Sequence, residues 1–385
     1  MKHGLKEKIT LLLLALSTLV GPAAIAAPAA AGPGVTPGSL VLGQSIVLSG
    51  PMAETGQAYA HGINLALARA NEKGGVHGRK IELLSLDDGY DAKRAEENTR
   101  VLIEEKQVFA LFGHTGTGAV IAAQSVAAKA GVPLIAPLSG ADALREKPAD
   151  NLFFLRPSYG DELEKIVEHQ ATLGIKRIAF VYQNDPFGKA ALKSFDEAMQ
   201  RNQLQAVTVA QIDPQAIDVG PAVAEMGRTQ PMAVVMATTG KISTALIKAL
   251  YQSGQRPQIF GLSVLSPAQL KAELQKSVVG IVMSQVVPSP WAAKHAIVRQ
   301  YRAALGDRLA EMHHASLEGY IAGQMLLEAL RRAGKEPTRQ RLLDALAGMR
   351  KVELSDFLID FGNPRHVGSR FVELTILRSD GSFAH

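Results

Sequence analysis

The chain has 385 residues, 47% of them apolar and 20% charged, with a formal net charge of +5 and no cysteine. The missing thiol excludes disulfides, thiolate metal sites, a cysteine nucleophile and lipid attachment through an N-terminal cysteine. The charge is scattered and no basic stretch interleaves with aromatics, so nucleic acid is not an expected partner.

The first residues bear on the compartment. Lys2, Lys6 and Lys8 precede "ITLLLLALSTLVG", an apolar run too short to span a membrane comfortably. It runs into "PAAIAAPAAAGPG", with the A-x-A spacing of Ala24-Ile25-Ala26. That pattern predicts a secretory signal peptide over 1–26, cut near Ala26 or Ala27, and a linker over 27–38. Its removal takes Lys2, Lys6, Lys8 and Glu7 and leaves a formal charge of +3. Roughly 350 residues remain, enough for two domains of ordinary size. No later segment is long and apolar enough to cross a bilayer. The mature protein is therefore expected to be soluble in a bacterial periplasm.

From Ser39 onward strand-like and helix-like runs alternate. "SLVLGQSIVL" predicts a strand, and "GQAYAHGINLALARANEKGG" a helix stopped by Gly74-Gly75. The strand "KIELLSLDD", a helix over "DAKRAEENTRVLIEEK", the strand "VFALF", a helix over 118–129 and the strand "VPLIAP" follow. After residue 157 the alternation resumes with "DELEKIVEHQATLG", "RIAFVYQ", "GKAALKSFDEAMQRN" and "QAVTVA". It then runs through "AVVMA", "KISTALIKALYQSG" and "QIFGL". Nearly continuous apolar strands in β-α-β-α order predict parallel sheets covered on both faces. Two stretches repeat one plan of strand, Thr-Gly, helix, Gly, Pro and strand, around Thr117-Gly118 and Thr239-Gly240. They suggest two doubly wound lobes, each presenting a helix N-terminus at the carboxyl edge of its sheet. Such edges, face to face, make a cleft that closes by hinge motion.

The loop "FGHTGTGA" at 112–119 bears on what that cleft holds. Gly113 to Gly118 fits the opening of a phosphate loop, but Ala119 and Val120 stand where its lysine and hydroxyl belong. A dinucleotide fingerprint would place its third glycine on Ile121. No nucleotide is expected. The loop still feeds a helix N-terminus, which suits any small anion, a carboxylate included.

"SGPMAETGQAYAHGINLALARANEKGGVHGRKIELLSLDDGYDAKRA" resembles the opening of the leucine/isoleucine/valine-binding-protein family, the type I periplasmic solute-binding proteins of ATP-driven importers. The resemblance continues through "GVPLIAPLSGAD", "RIAFVYQNDPFGKAAL" and "SLEGYIAGQMLLEAL" to "GSRFVELTIL", nearly the whole mature chain. It implies a solute held between two lobes and handed to a permease in the inner membrane, without catalysis or cofactor, by a protein expected to be monomeric. It also implies three crossings between the lobes, with lobe one at 39–157 and 288–345 and lobe two at 158–287 and 346–385. The ligand carboxylate would be held at Thr117 with Gly118 and at Leu138, Ser139 and Gly140. Ligand packing would fall on Thr55, Phe187 and Thr239.

The family's acid for a ligand ammonium falls on Ser263. A buried ammonium needs a counter-charge that serine cannot supply. Either the ligand lacks an ammonium, or Glu54, Asp87 or Asp185 replaces the acid. Gly140 likewise stands where the family has a hydroxyl. These departures favour a small organic acid over a standard α-amino acid.

Several residues read two ways. Thr117 and Asp185 suit helix N-caps as well as ligand contacts, and Phe187 suits core as well as a cleft wall. Asp87-Asp88 follow a strand and suit solvated capping better than metal or acid–base work. His313-His314 with Glu318 lacks the H-E-x-x-H pattern, so no metal is expected. His114 could meet an anionic ligand or act from behind the loop. Trp291 falls where the family crosses between lobes. No G-x-S-x-G elbow occurs either. A periplasmic sensor subunit built on the same fold is the rival to transport.

Overall fold

In a computed structural model, residues 32–379 and 383–384 are described. The segment expected to be a signal peptide lies outside them, as do residues 27–31 of the linker.

The chain begins β1 (Ser39–Ile46), α1 (Ala53–Glu72), β2 (Lys80–Asp87), α2 (Ala92–Arg100), β3 (Ala110–Phe112), α3 (Thr117–Lys129), β4 (Leu134–Ile135), α4 (Ala143–Glu146) and β5 (Leu152–Phe153). These strands form one five-stranded sheet in the order β2-β1-β3-β4-β5, every neighbour parallel. The apolar run at β3 is buried throughout, as a parallel strand covered on both faces must be. The expected strand "VPLIAP" is shorter in the fold, because Ala136 turns to φ +50° and Pro137 follows.

A second run holds α5 (Tyr159–Thr172), β6 (Ile178–Gln183), α6 (Pro186–Arg201), β7 (Ala206–Ile212), α7 (Gly220–Thr229), β8 (Ala233–Ala237), α8 (Gly240–Gln252), β9 (Gln258–Gly261), α9 (Pro267–Leu274) and β10 (Val282–Gln285). The chain then forms α10 (Ala296–Leu305), α11 (His314–Ala333), α12 (Arg339–Ala347), β11 (Val352–Leu354), β12 (Phe357–Ile359), β13 (Glu373–Leu377) and β14 (Phe383–Ala384). The second sheet runs β14-β13-β10-β9-β8-β6-β7. Strands β6 to β10 are parallel within it, and β13 and β14 join antiparallel at one edge. The chain thus takes the α/β class with two separate, mostly parallel sheets. Among the described residues no helix is long and apolar enough to cross a membrane.

Three stretches pass between the lobes. The first, at 154–158, carries Arg156, which is buried between Glu162 of α5 and Glu318 of α11, 3.6 Å from each. Burying these charges is tolerable only because they lie together. The second follows β10 and brings the chain back to α11, which packs along α1. There Trp291 lies 5.2 Å from His314 and 5.6 Å from Phe383 of β14, ring to ring. The third comes later than residue 346. Val367 bridges Phe154 in parallel and Ser369 N–H donates to Leu155 O at 2.8 Å, so this segment stays beside the first sheet. The chain joins the second sheet at Glu373, opposite Gln285.

Candidate functional site

A cavity of about 870 Å³ opens between the two sheets. Residues 50–55, 89–92 and 118–119 wall it on one side. Gln183, Asp185, Pro186, residues 239–242, Val264 and Ser266 wall it on the other. Apart from Gln183, which ends β6, these lie on turns after a strand or at helix starts, where open α/β sheets bind ligands.

Helix starts dominate its chemistry. α1, α3 and α8 all begin at the cavity, and none has a side-chain cap. The positive ends of their dipoles face the cavity, and so do first-turn N–H groups, although that of Ala53 at the start of α1 donates to Gly50 O at 3.3 Å. By contrast α2 and α6, which also start there, are capped by Asp91 and Asp185.

Thr117 is the first residue of α3 rather than its cap, a place taken by Gly116 at φ +89°. Its hydroxyl lies 3.0 Å from Ser139 Oγ and 3.4 Å from the Tyr159 phenol, so three buried hydroxyls meet beside the start of α3. Gly140 explains the third. A Cβ there would stand 2.4 Å from the Tyr159 ring, so the glycine admits the aromatic side chain. The hydroxyl that the loop lacks is therefore supplied from α5. Burial raises the phenol of Tyr159 above its ordinary value, which keeps it a neutral donor. Arg145 steadies the loop from behind, donating to Ser139 O at 2.6 Å and Ala141 O at 2.9 Å while lying 3.8 Å over the Phe154 ring.

The expected site residues divide. Thr55, Gly118, Asp185 and Thr239 line the cavity. Phe187 is buried and meets Tyr159 edge-on at 5.1 Å. Leu138 does not offer its N–H, which donates to His114 O at 2.7 Å, and the N–H of Ser139 donates to Pro137 O at 3.0 Å. At Ser139 the hydroxyl, not the amide, is the group at the cluster.

Ser263 is turned to other work. Its N–H and hydroxyl donate to Glu162 at 2.9 and 3.1 Å, and its oxygen accepts from Arg156. Glu162 also accepts from Ser284 Oγ at 2.6 Å. An acid thus stands directly behind the serine, fully buried and already bonded.

Asp185 is the cap of α6 and lies in the cavity wall. It caps α6 through Gly188 N–H at 2.9 Å, and it accepts the phenol of Tyr90 at 3.0 Å and the amide of Gln183. Gln183 in turn accepts the N–H and hydroxyl of Thr239 at 2.9 and 3.0 Å. Tyr90 belongs to the first lobe and Asp185 to the second, so this bond spans the cleft. Glu54 makes a second span, accepting from Ser266 and lying 3.4 Å from His313 Nε2. A third close approach is at Gly240, where φ is +56° and a Cβ would lie 2.8 Å from Pro51 O. Tyr90, Gln183, Tyr159 and Ser266 were not anticipated from sequence. Tyr90 alone carried a local signal, as the aromatic in the turn "DDGYDA" at the end of a predicted strand.

Asp87 and Asp88 build that turn. Asp87 accepts the N–H groups of Leu48 and Gly89 at 2.8 and 3.0 Å and the hydroxyl of Ser49 at 2.6 Å. Asp88 accepts from Ser45 Oγ at 2.7 Å and Tyr90 N–H at 3.0 Å, and burial pushes its carboxyl up to about 6. His114 is buried away from the cavity, and burial alone pulls its imidazole down to about 3. It is therefore neutral and does not meet a ligand anion. His313 caps α11 by accepting Ala315 N–H at 3.0 Å.

Comparison with known proteins fits this geometry. Residues 39–382 match a family model described as periplasmic binding protein. "Leu/Ile/Val-binding protein homolog 7" of Brucella suis is 25% identical over 316 residues, covering 77% of this chain and 78% of that one. A protein of Rhodopirellula baltica, described as a possible leucine/isoleucine/valine-binding protein, has a solved structure that superposes with a TM-score of 0.84. It is 29% identical and covers 90% of this chain and 96% of its own. A substrate-binding periplasmic protein of Ralstonia solanacearum gives a TM-score of 0.82 at 27% identity, covering 90% of this chain and 99% of its own. With its two sheets, its cleft and this match along the described chain, the protein belongs to the periplasmic binding proteins, in the non-enzymatic Leu/Ile/Val-binding family.

Proposed function

We propose that this chain is the solute-binding component of an ATP-driven importer of the branched-chain amino-acid type, and that its ligand is a carboxylate without an ammonium group. The observation that carries the ligand class is the set of three helix starts without a side-chain cap at one cavity; the buried hydroxyls of Thr117, Ser139 and Tyr159 lie behind the start of α3, outside the lining. The helix starts offer N–H donors and positive dipole ends to an anion. For an ammonium the cavity wall offers Glu54, Asp91 and Asp185, each of which already accepts hydrogen bonds within the protein. Glu162 is consumed by Ser263, Ser284 and Arg156, while Glu54 and Asp185 already accept bonds across the cleft. Export through the signal peptide and delivery to an inner-membrane permease belong to the same reading. The mass of the periplasmic protein, ending its leader near Ala26, checks the first of these.

The names of the relatives favour a branched-chain amino acid instead, with Asp185 or Glu54 as the counter-charge. A thermal-shift panel on protein stripped by unfolding and refolding separates the two. Each amino acid is paired with its des-amino or keto acid, leucine beside 4-methyl-2-oxopentanoate for example. A ligand at about a hundred times its Kd stabilises by roughly 2.7 kcal/mol. Stabilisation by the ammonium-free acids alone supports the proposal; stabilisation by amino acids alone sinks it.

A further inference from the structure

We propose that Thr55 selects the ligand, its hydroxyl bonding a neutral oxygen on that molecule, so that the ligand is a hydroxy or oxo acid rather than a plain hydrocarbon acid. This rests on the carboxylate reading above and narrows it. Among the described residues, four polar side chains of the cavity wall are buried: Thr55, Gln183, Thr239 and Ser266. Three of them are engaged. Gln183 accepts the N–H and hydroxyl of Thr239 and donates to Asp185 and Tyr90. Ser266 donates to Glu54 and accepts Gln269 N–H at 3.0 Å. The hydroxyl of Thr55, a residue only 4% exposed, has no hydrogen bond.

Its place on α1 decides what that hydroxyl can take. Thr55 is the third residue of the helix, and the first helical bond runs from Gly56 N–H to Met52 O at 2.9 Å. The N–H groups of Glu54 and Thr55 come before that bond, so they lack a helical acceptor. Two N–H donors, a hydroxyl and the positive end of the dipole call for an acceptor and disfavour an ammonium. Glu54, the preceding residue, also lines the cavity, and its carboxylate disfavours a second anion beside it. A neutral oxygen, carbonyl or hydroxyl, meets both conditions. The same cavity carries the buried hydrocarbon of Met52, Ala119, Ile242 and Val264. A plain hydrocarbon acid filling it would leave the Thr55 hydroxyl dry and without a partner, which is unfavourable. A site built in this way rejects a ligand that lacks the matching group.

Matched acids test this: benzoate against 3- and 4-hydroxybenzoate, and hexanoate against 2-oxohexanoate and 6-hydroxyhexanoate, titrated calorimetrically into stripped protein, with leucine and valine as further arms. An apolar cleft alone would favour the plain acid of each set. We expect at least one oxygenated acid to bind about ten times more tightly than its parent. Thr55→Val keeps the shape and removes only the hydroxyl, so it should erase that advantage while changing the affinity of the parent acid less than threefold. Thr55→Ser should keep the advantage. Both variants should melt with wild type, since no protein bond of the side chain is lost. A residue that merely held the wall would change parent and oxygenated acids alike. Parent acids binding as tightly as every oxygenated one overturn the proposal and leave the carboxylate reading standing. An oxygen preference that persists in Thr55→Val overturns the role of the threonine. Binding by leucine or valine alone, or by none of the panel, counts against both readings.

Discussion

Gly240 offers a direct test of closure, because substitution there penalises one state of the protein more than the other. Its φ of +56° is left-handed, so Gly240→Ala costs roughly 1–2 kcal/mol of backbone strain whether the cleft is open or closed. The added Cβ would also stand 2.8 Å from Pro51 O, across the cleft, and this clash exists only when the lobes meet. Relieving it means parting the lobes by a few tenths of an ångström at that point. The bond from Tyr90 to Asp185, now 3.0 Å, would then pass out of range. A hydrogen bond to a charged acceptor is worth about 1.5–3 kcal/mol. Ligand affinity should therefore fall roughly 10- to 100-fold. Gly254→Ala is the control, since Gly254 has a φ of +82° with nothing within 4 Å of its would-be Cβ. Both variants should lose similar melting temperature in the absence of ligand, and only Gly240→Ala should lose affinity in titration of the best binder from the acid panel. Small-angle scattering should show a smaller ligand-induced compaction for it. Equal affinity in wild type, Gly240→Ala and Gly254→Ala would refute the closure drawn from these contacts.

Other consequences are as direct. Tyr90→Phe removes the phenol that reaches Asp185 across the cleft and should weaken ligand about tenfold with little change in thermal stability, read by titration and melting together. Ser139→Ala leaves the N–H to Pro137 O intact but removes one of the three clustered hydroxyls. It should weaken the carboxylate by about 1 kcal/mol, and unchanged affinity would place the anion elsewhere. In the folded state the imidazole of His114 stays neutral down to about pH 3, while in the unfolded chain it protonates below 6.5; that lowers stability as pH falls between these values. Asp88 acts oppositely, since its folded carboxyl takes a proton near pH 6 and its unfolded one only near 3.8, so acid relieves a penalty. Asp88→Asn should therefore make denaturation stability fall about 1.4 kcal/mol per pH unit more steeply than wild type between pH 6 and 4, and parallel curves would contradict the burial of these groups.

How far the sequence could be read depends on the range over which each feature is decided. The paired-sheet fold was legible because a parallel strand buried on both faces must be apolar throughout, as β8 is with "AVVMA". The third crossing was not. It depends on Val367 meeting Phe154, a contact between distant segments that leaves no periodic trace, and so the chain stays with the first sheet well past residue 346. At the site, Thr55, Gly118, Asp185 and Thr239 were legible because a turn after a strand is a local pattern whose place in the fold is general. Which atoms remain free there is not local. Leu138 has its N–H taken by His114, and Ser263 has both its donors taken by Glu162.

Gly140 and Tyr159 show the same limit from the other side. Read alone, the glycine looks like a lost hydroxyl. In the fold it is the space that lets the phenol of Tyr159 come within 3.4 Å of Thr117, so the donor has moved from the loop to the next helix rather than vanished. At Ser263 the acid has moved as well, but there Ser263, Ser284 and Arg156 consume it. One departure thus preserves anion binding and the other withholds an ammonium partner. On the carboxylate reading proposed above they do not cancel: both favour an anion over a zwitterion.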